Sequence, residues 1–587
     1  MRTDVPTGAC TSVFPNGSEV DVEVGAICNN PATCTRNVTL ATQATGGSPS
    51  GTFAPGAAGT YPATIRFAFT TANAEAPFNF SYADAGQITL QFRYVTAAPA
   101  VTIAGTGGPF VVRPFGIAFR GANAATPIQH GTTATDPLLA AAGDNFTMTL
   151  AAYQWAAGQD VAPVDGFPDF GGTDVIDITG NGDTPNFAWD TGVGVYANLP
   201  GVAAGTVTRG VGCAGGATVT AAQWSGGTAT ITDWCYNEAG NVGLFSLTSN
   251  YIAAGITIIG VSSYDGSTLN AGHVGRFRPK QFALSAGSVT TRAAAGCSPD
   301  STFTYLDERL DLGFTLTAQN TQGGTTLNYD GAYAKLDLSA IGNLNLGARS
   351  GATNLTSRVN TGAGSSSSGS WSNGVASGIA VQTAIQRLTA SPFVDGPYAG
   401  LAFGVAPSDS DSVAMDTLDL DVDNNSVDDH KSLGVTTEVR FGRLRLQNAS
   451  GGQNLDLPIP IQTQFWNGTV FATNTVDNCT SLSAANLSLG SYTNGPGGID
   501  ATNMGDSHIS LGGAFAAGVG SLKLTKPSPA ATIPGGTTLT VDLAAEGKTY
   551  LQGAWTGAPY DDNPSARATW GLYGSQPQNF IYFRENY

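Results

Sequence analysis

Charged residues are scarce in this chain of 587 residues: they make up only 12% of it, about half the usual share for a soluble domain. Lys and Arg number 25 against 43 Asp and Glu, which leaves a formal net charge of −18. So acidic a chain repels nucleic acid and anionic lipid, and neither is expected as a partner. The balance favours an extracellular protein or one that binds divalent cations.

Long apolar runs are also missing. No stretch of about 18 apolar residues occurs, so no membrane-spanning helix is expected. The start of the chain, residues 1–6, lacks the apolar core of a signal peptide. Because other features indicate export, we expect Met1 to be an internal start, with the signal peptide and further N-terminal sequence lying outside this chain.

Catalytic motifs are lacking as well. The sequence has no G-x-S-x-G nucleophile elbow, no H-E-x-x-H zinc motif and no phosphate-binding loop. The four His lie far apart and no C-x-x-C pair occurs, which argues against zinc. A carboxylate pair for glycoside hydrolysis stays open, because such pairs meet only in three dimensions. We therefore predict that the protein is not an enzyme.

The cysteines are few and widely spaced, a pattern that indicates disulfides formed in an oxidising compartment. The candidate pairs are Cys28–Cys34, Cys213–Cys235 and Cys297–Cys479. Cys10 is then left over, and the odd number of cysteines allows a partner outside this chain. The alternative is a cytosolic protein with reduced, buried thiols.

Helical periodicity is almost absent, and short runs of alternating apolar and polar residues dominate the chain. Examples are 65–69, 146–150, 439–446 and 539–543, which are separated by clusters of Gly, Asn, Asp and Pro at strand-and-turn spacing. Two segments, 379–388 and 136–142, are the candidates for short helices. The overall pattern predicts an all-β chain.

A short pattern occurs twice. Tyr82-Ala-Asp84-Ala-Gly86 and Tyr236-Asn-Glu238-Ala-Gly240 each place an aromatic residue, an acid and Ala-Gly before a run in which apolar residues largely alternate. The Gly permits the backbone corner that leads into a half-buried strand. A Tyr at this position is typical of the tyrosine corner of Ig-like sandwiches. We therefore predict that these residues have structural roles in tandem Ig-like β-sandwich domains.

Composition along the chain indicates three regions. We predict an Ig-like domain at 1–97, a second Ig-like sandwich at 110–275 after a small-residue linker, and a larger β-rich region at 280–587 that holds one or two sandwiches. Within the third region, 350–378 is rich in Gly, Ser, Thr and Asn and is expected to form a mobile loop.

The third region also carries motifs in a set order: Asn328-Tyr329-Asp-Gly331, Phe441-Gly442-Arg443-Leu444, Gln464-Phe465-Trp466, Asn474-Thr-Val-Asp477-Asn-Cys479, Ala566-Arg567-Ala568-Thr569-Trp570-Gly571 and Ile581-Tyr582-Phe583-Arg584-Glu585. They resemble the C-terminal part of the MshQ family, biogenesis proteins of the mannose-sensitive haemagglutinin type IV pilus. The repeated Tyr-x-acid-Ala-Gly pattern and 275–279 fit that family too, so the resemblance covers most of the chain. It implies a large, secreted, β-rich protein found with pilus gene clusters, and it defines no ligand.

The acidic stretch 409–429 contains the strongest chemical signal. Asp421, Asp423, Asn425 and Asp429 match ligand positions of a calcium-binding loop and predict a Ca²⁺ site, the one cofactor expected here. Two positions depart from the motif, since Ser426 replaces the turn Gly and Ser432 replaces the bidentate Glu. The alternative is a solvated acidic loop.

Near the C-terminus, Arg567 lies close in sequence to Asp561 and Asp562. We expect it to form an Arg–carboxylate fork that braces the last strands, with recognition of an acidic sugar or a partner's carboxylate as the alternative. The large aromatic residues nearby are expected mainly in the core, with a saccharide platform as the alternative; they are Trp466, Trp555, Tyr560 and Trp570.

Together these features predict an extracellular, non-catalytic protein associated with type IV pili or cell-surface adhesion. Its stiff β scaffold would present binding loops to pilus proteins, other surface proteins or glycans. Two alternatives remain: a structural assembly factor of the pilus without an outside ligand, and a polysaccharide-active enzyme.

Overall fold

The computed structural model describes residues 2–3, 10–11, 13–70, 75–161, 164, 166, 177–262, 273–293, 297, 302–453, 455–493 and 497–571, so the motif at 581–585 lies outside the described residues. The chain divides into two compact units. Unit 1 comprises Met1–Gln281, Ala318–Ala334 and Ser372–Gly374, and unit 2 comprises Phe282–Thr317, Lys335–Trp371 and Val375–Tyr587. Strands dominate the described part of both units, which confirms the predicted all-β class.

At the start of unit 1, β1 (Arg2–Thr3) and β2 (Cys10–Thr11) form a two-stranded sheet of their own. The first sandwich of unit 1 contains β3 (Glu19–Asn30), β4 (Val38–Thr42), β5 (Ser50–Phe53), β6 (Ala63–Ala68), β7 (Phe78–Tyr82), β8 (Gly86–Val95) and β9 (Thr102–Val112). One sheet has the order β6-β3-β8-β9 and the facing sheet the order β5-β4-β7. Alternate residues such as Val22 and Val24 of β3 pack against Val38 and Leu40 of β4. The segment after residue 97, expected to be a linker, contains β9 because it pairs with β8.

The second sandwich of unit 1 contains β10 (Gly116–Arg120), β11 (Ala140–Ala141), β12 (Asn145–Tyr153), β13 (Thr191–Leu199), β14 (Val207–Arg209), β15 (Thr218–Val219), β16 (Thr228–Tyr236), β17 (Gly240–Tyr251), β18 (Ile256–Val261) and β19 (His273–Arg278). Its sheets have the orders β10-β12-β16-β14 and β11-β19-β17-β13-β15, and β18 pairs with β17. Trp234, Phe187 and Phe277 lie in the core between them. The expected helix at 136–142 is wrong: this segment is a turn followed by β11, where Asp136 accepts backbone N–H groups of the turn.

The first part of unit 2 contains β20 (Gln281–Thr290), β21 (Phe303–Tyr305), β22 (Leu310–Gln319), β23 (Leu346–Ser350), β24 (Thr353–Asn354), β25 (Ser366–Ser368), β26 (Val375–Thr383), β27 (Tyr398–Val405) and β28 (Lys431–Arg440). The sheets have the orders β20-β22-β26-β25 and β21-β28-β27-β23-β24. The expected helical turns at 379–388 are wrong, because Ile379, Val381 and Thr383 alternate on the buried face of β26. The predicted loop 350–378 contains β24 and β25, and its mobility stays a prediction.

The second part of unit 2 contains β29 (Gly442–Leu446), β30 (Ala449–Gly451), β31 (Leu457–Pro458), β32 (Ile461–Trp466), β33 (Phe471–Thr473), β34 (Leu487–Thr493), β35 (Ile509–Leu511), β36 (Val519–Gly520), β37 (Leu522–Leu524), β38 (Gly535–Val541) and β39 (Ser565–Trp570). Three small sheets, β29-β32-β33 with β36 on β32, β30-β39-β38-β34 and β31-β37-β35, enclose one core. Trp570 and Leu539 lie fully buried in it.

The helices of the described residues are 3-10 turns of three or four residues: Val211–Cys213, Ala221–Gln223, Gly331–Tyr333, Ile341–Leu344, Thr356–Arg358, Ala484–Asn486, Asp506–His508 and Thr549–Leu551. Within the part of the chain that the structure describes, no helix has the length and apolar character needed to cross a membrane.

Candidate functional site

The first Tyr-x-acid-Ala-Gly motif lies where the two sandwiches of unit 1 meet. Asp84 is only 1% exposed, and its Oδ1 accepts the backbone N–H of Ala85 at 2.8 Å and that of Asn186, in the second sandwich, at 2.9 Å. The Thr35 hydroxyl donates to the other carboxylate oxygen. The Asn186 side chain donates to the Tyr82 hydroxyl at 3.2 Å. The motif therefore connects two domains as well as forming a corner.

The second motif has the same arrangement within unit 1. Glu238 is 5% exposed, and its Oε1 accepts the N–H of Ala239 at 2.8 Å and that of Asn328 at 3.0 Å. Its Oε2 accepts the N–H of Leu327 at 3.0 Å. The Tyr236 hydroxyl donates to the carbonyl of Ala204 at 3.1 Å, the kind of backbone contact that a tyrosine corner makes.

The Asn328 side chain is fully buried beside this acid. Its Oδ1 accepts the N–H groups of Val202 at 3.0 Å and Ala203 at 2.8 Å. Its Nδ2 donates to the carbonyls of Ala203 at 2.8 Å and Ala239 at 3.1 Å. Sequence reasoning missed Asn186 and named Asn328 only as part of a family-like motif, although the pattern Thr-x-Asn-aromatic that they share was visible.

Burial governs the protonation of these groups. It raises the pKa of the Tyr82 phenol to about 12, with the nearby Asp84 carboxylate adding to the effect. It also raises the pKa of Glu238 above its ordinary value, while three backbone N–H groups act in the opposite direction. Burial raises the pKa of the Tyr236 phenol as well, so Tyr82 and Tyr236 both remain neutral hydrogen-bonding groups at physiological pH.

The predicted calcium loop forms hydrogen bonds within itself. Asp421 accepts the N–H groups of Asn425 at 3.1 Å and Ser426 at 2.8 Å, and Asn425 also donates to Asp423 at 3.2 Å. Asp429 accepts the N–H of Val422 at 3.1 Å. These contacts turn the carboxylates toward the backbone of their own loop.

The positively charged side chain of Arg349 lies beside this loop. The Arg349 guanidinium donates to the Asp421 carbonyl and, at 3.0 Å, to the Asn424 side chain, and it lies 3.9 Å from the Asp421 carboxylate. Among the described residues, no group of three or more His, Cys, Asp or Glu side chains converges as a metal site would require. Calcium binding at this loop stays a prediction.

The described residues contain three disulfides, in the same pairs that the sequence predicted. They join Cys28–Cys34, Cys213–Cys235 and Cys297–Cys479, with Cα atoms 5.9, 5.6 and 5.8 Å apart. The third, in unit 2, joins residues separated by 182 positions, so it closes the longest loop. The side chain of Cys10 lies outside the described residues.

A buried ion network lies in unit 2, and sequence reasoning missed it. The Arg292 guanidinium donates to Glu308 at 3.0 Å and to Asp477 at 2.8 Å, and all three side chains are at most 1% exposed. Tyr305 donates to Asp477 at 2.8 Å. The sequence signal was Asp477 itself, which lies in one of the family-like motifs.

The expected Arg567 fork is wrong for the described residues. The Arg567 guanidinium donates to the Ser491 carbonyl at 2.6 Å and to the Thr493 hydroxyl at 2.7 Å, so its partners are neutral oxygens. The reason is that Asp562 turns back on its own loop and accepts the N–H of Thr556 at 2.7 Å. Arg567 still ties β39 to β34, a structural role.

The C-terminal aromatic residues pack mainly against each other. Trp466, Phe471 and Tyr560 are in ring contact, and the Arg443 guanidinium lies over Phe471 at 3.7 Å and Trp555 at 4.9 Å. The guanidinium covers one face of Phe471 and one face of Trp555. Trp570 is fully buried, so it belongs to the core.

An apolar cleft of about 320 Å³ lies at the end of the first sandwich where β6 and β8 end and β7 and β9 begin. Its lining residues are almost all aromatic or aliphatic: Phe14, Val22, Phe67, Phe69, Ala76, Phe78, Phe92, Arg93, Tyr94, Ile103, Ala104 and Gly105. The Arg93 guanidinium is paired with Glu23 at 2.5 Å. The cleft therefore suits an apolar group.

A second cleft, of about 440 Å³, lies between the two sandwiches of unit 1. It combines aromatic and polar groups, among them Tyr82, Asp84, Arg113, Gln154 and Trp155. Trp155 is 54% exposed and lines this cleft.

Three domain models of a single family match the sequence. They are DUF6701, a domain of unknown function described as a first Ig-like domain, at residues 1–106, the DUF6701 third domain at 238–435 and the DUF6701 fourth domain at 440–586. Together they match more than three quarters of the chain. The chain belongs to the DUF6701 family. This result establishes an Ig-like first domain and leaves the pilus association implied by the MshQ resemblance as a proposal.

Comparison of this DUF6701 chain with curated proteins gives no match. Similar solved structures include the I9–I11 tandem from titin, at 4% identity and a TM-score of 0.20, covering 73% of this chain and 94% of that one. They also include the ICAM-5 D1–D4 ectodomain fragment, at 10% identity and a TM-score of 0.22, covering 95% of each chain. Protocadherin gamma B7 cadherin domains 1–4 match at 8% identity and a TM-score of 0.18, covering 83% of each chain. Likeness at these TM-scores carries no conclusion about function.

Proposed function

We propose that this DUF6701 chain is an extracellular, non-catalytic protein of a type IV pilus or another bacterial surface adhesion system. The observation that carries the proposal is the set of three disulfides in tandem β-sandwiches. Such bonds persist in oxidising compartments and are rare in the cytosol. The motifs shared with the MshQ family support the pilus in particular.

The apolar cleft of the first sandwich supports a protein partner. Its walls offer rings and methyl groups, whereas a sugar needs several polar groups for its hydroxyls. Ile103, one of its lining residues, is exposed, and so are Val95 and Val101, which lie next to or near lining residues in sequence. A bulky apolar side chain of a pilin or other surface protein is the group that fits there.

A glycan is the second candidate ligand, and the cleft between the two sandwiches of unit 1 favours it. A sugar ring can stack on the exposed Trp155 while its hydroxyls bond to polar groups such as Gln154. This site would make the protein an adhesin with an outside ligand.

The enzyme alternative receives less support from the carboxylates. Glu308 and Asp477 share one guanidinium and have fully buried side chains, so neither reaches a polysaccharide. The structural assembly factor differs from the adhesin only in lacking an outside ligand, and binding measurements separate the two.

The test uses the full-length protein exported to an oxidising compartment and assayed for pilin co-purification and glycan-array binding. Ile103→Asp at the apolar cleft and Trp155→Ala at the second cleft are the informative variants. Val470→Asp, at a 56% exposed position in unit 2, is the control. We expect Ile103→Asp to abolish pilin capture while the control retains it.

The outcomes separate the alternatives. Glycan binding that Trp155→Ala alone removes would favour an adhesin with an outside ligand. Pilin capture without glycan binding would favour the assembly factor. Cell fractionation that finds the native protein in the cytosol with free thiols would refute the extracellular proposal.

A further inference from the structure

Two loops of unit 1 share a sequence pattern and a turn. They are Thr184-Pro-Asn186-Phe187 and Thr326-Leu-Asn328-Tyr329. In each, the N–H of the aromatic residue donates to the Thr carbonyl, at 3.0 Å for Phe187 and 3.1 Å for Tyr329. Both aromatic side chains are fully buried. Each ring therefore anchors its turn in a core, while the N–H of the Asn donates to an acid outside the turn.

A glycine in the neighbouring strand or turn supports each of these loops. The carbonyls of Gly227 and Gly374 accept the N–H groups of Ala152 at 2.9 Å and Ala318 at 2.8 Å. A Cβ added at Gly227 would lie 2.4 Å from the Thr184 carbonyl oxygen, and one at Gly374 would lie 2.2 Å from that of Thr326. Both glycines have positive φ, +76° and +74°. The two loops thus have the same supporting geometry.

The acids that these loops contact are also equivalent. Asp84 and Glu238 each follow Tyr-x and precede Ala-Gly, and each accepts one N–H from the next residue and one from the Asn of the loop. We propose that Tyr-x-acid-Ala-Gly and Thr-x-Asn-aromatic are the two halves of a repeated junction lock. The surface around each acid recognises a Thr-x-Asn-aromatic turn from the segment that follows it in the chain.

The physical basis is the demand of a buried carboxylate for donors. An ionised acid without such partners in an apolar site destabilises the fold, and the turn supplies a backbone N–H in a set direction. The Asn side chain adds a second contact, to the Tyr82 hydroxyl in one lock and to the backbone of Ala203 in the other. The lock thus depends on two features of the turn: the direction of its backbone N–H and the side-chain amide of the Asn.

A third turn, in unit 2, provides a contrast. The N–H of Asp477 donates to the Asn474 carbonyl at 2.9 Å, and the Gly518 carbonyl accepts the N–H of Thr463 at 2.9 Å, as in the other two turns. Here Val476 occupies the Asn position and is 42% exposed. The same backbone turn without the Asn accordingly makes a different connection, through Arg292 and Asp477.

Hydrogen–deuterium exchange of the full-length protein tests the lock, with mass spectrometry following the peptides that contain Asn186 and Asn328. We expect Asp84→Ala to speed exchange at Asn186 by about tenfold and to leave Asn328 unchanged, since one acceptor is lost. We expect Glu238→Ala to do the reverse. Asp183→Ala, which removes only the exposed ion pair with Arg36 at the same junction, is the matched control.

Each variant is expected to speed exchange at only one of the two Asn residues, so the other Asn serves as an internal control. Exchange at Asn186 that stays slow in Asp84→Ala would overturn the lock, as would a rise in Asp183→Ala equal to that in Asp84→Ala. Peptides of β3 and β12, which lie in the cores of the two sandwiches of unit 1, report whether each variant still folds. If Asp84→Ala does not fold, Asp84→Asn takes its place; its neutral amide oxygen is a weaker acceptor than the carboxylate, so we expect exchange at Asn186 to rise by a smaller factor.

Discussion

The backbone N–H of Asn328 lies 3.0 Å from the Glu238 carboxylate although 90 residues separate the two in sequence. The same Asn binds Val202, Ala203 and Ala239 through its side chain. One fully buried residue therefore provides hydrogen-bond partners for an acid and four backbone groups at once.

Replacing Asn328 with Ala should lower the free energy of unfolding by about 2–4 kcal/mol, because buried N–H and C=O groups lose their partners. Urea denaturation of the purified protein measures the loss. The control is Asn29→Ala, since Asn29 is exposed and accepts one hydrogen bond, from Thr89. A loss for Asn328→Ala no larger than that of the control would contradict the structural role described here.

Removing the Cys297–Cys479 disulfide should destabilise unit 2 more than removing Cys28–Cys34 destabilises unit 1. In the chain-entropy account, a disulfide stabilises the fold because it lowers the conformational entropy of the unfolded chain. This stabilisation is about 5 kcal/mol for a bond across 182 residues and about 2 kcal/mol for one across 6 residues. Calorimetry of the two double Cys→Ala variants measures both losses. Equal melting-temperature shifts would show that loop length does not govern the effect.

Acid should weaken unit 2 through Asp477. Burial acts to raise the pKa of this carboxyl, but the Arg292 guanidinium and the hydrogen bonds from Thr480 together outweigh it, so the pKa lies below the ordinary 3.8. A group with a lowered folded-state pKa stabilises the fold above its unfolded pKa, and that stability is lost as the pH falls through the folded value. Glu308 contributes the opposite pH dependence: burial raises its pKa, so its contribution to stability is lost as the pH rises.

Measuring the free energy of unfolding from about pH 2 to about pH 6, the range in which carboxyl groups titrate, tests the role of Asp477. We expect Asp477→Asn to be less stable than the native protein at pH 6 and to lose less stability on acidification. Parallel pH profiles for the two proteins would exclude Asp477 as the responsible group.

The calcium prediction is tested by thermal unfolding in excess Ca²⁺ and then in EGTA. If the loop binds Ca²⁺ only in the native state, the melting temperature rises with Ca²⁺, and Asp421→Ala/Asp423→Ala loses the rise. Arg349→Ala is the informative companion, because removing the guanidinium beside Asp421 should strengthen cation binding. Identical melting temperatures in both buffers would leave a hydrogen-bonded acidic loop.

Local patterns in the sequence predicted the strands well. Alternation is a property of neighbouring residues, so β38 and β12 were visible without any knowledge of their partners. The prediction of a short helix at 379–388 was wrong, because a run of small and apolar residues there also permits a helix. There the pairing of β26 with β22 decides the conformation, and that pairing is not local.

The sequence by itself determined the all-β class, the three cysteine pairs as candidates and the positions of both Tyr-x-acid-Ala-Gly strands. Only the tertiary structure decided what their acids bind, because Asp84 and Asn186 lie 102 residues apart and the chain offers many other Asn residues. It also decided that Arg567 binds neutral oxygens, since sequence proximity to Asp562 says nothing about the direction in which either side chain points. Hydrogen bonds depend on distances of about 3 Å, and folding alone sets those distances.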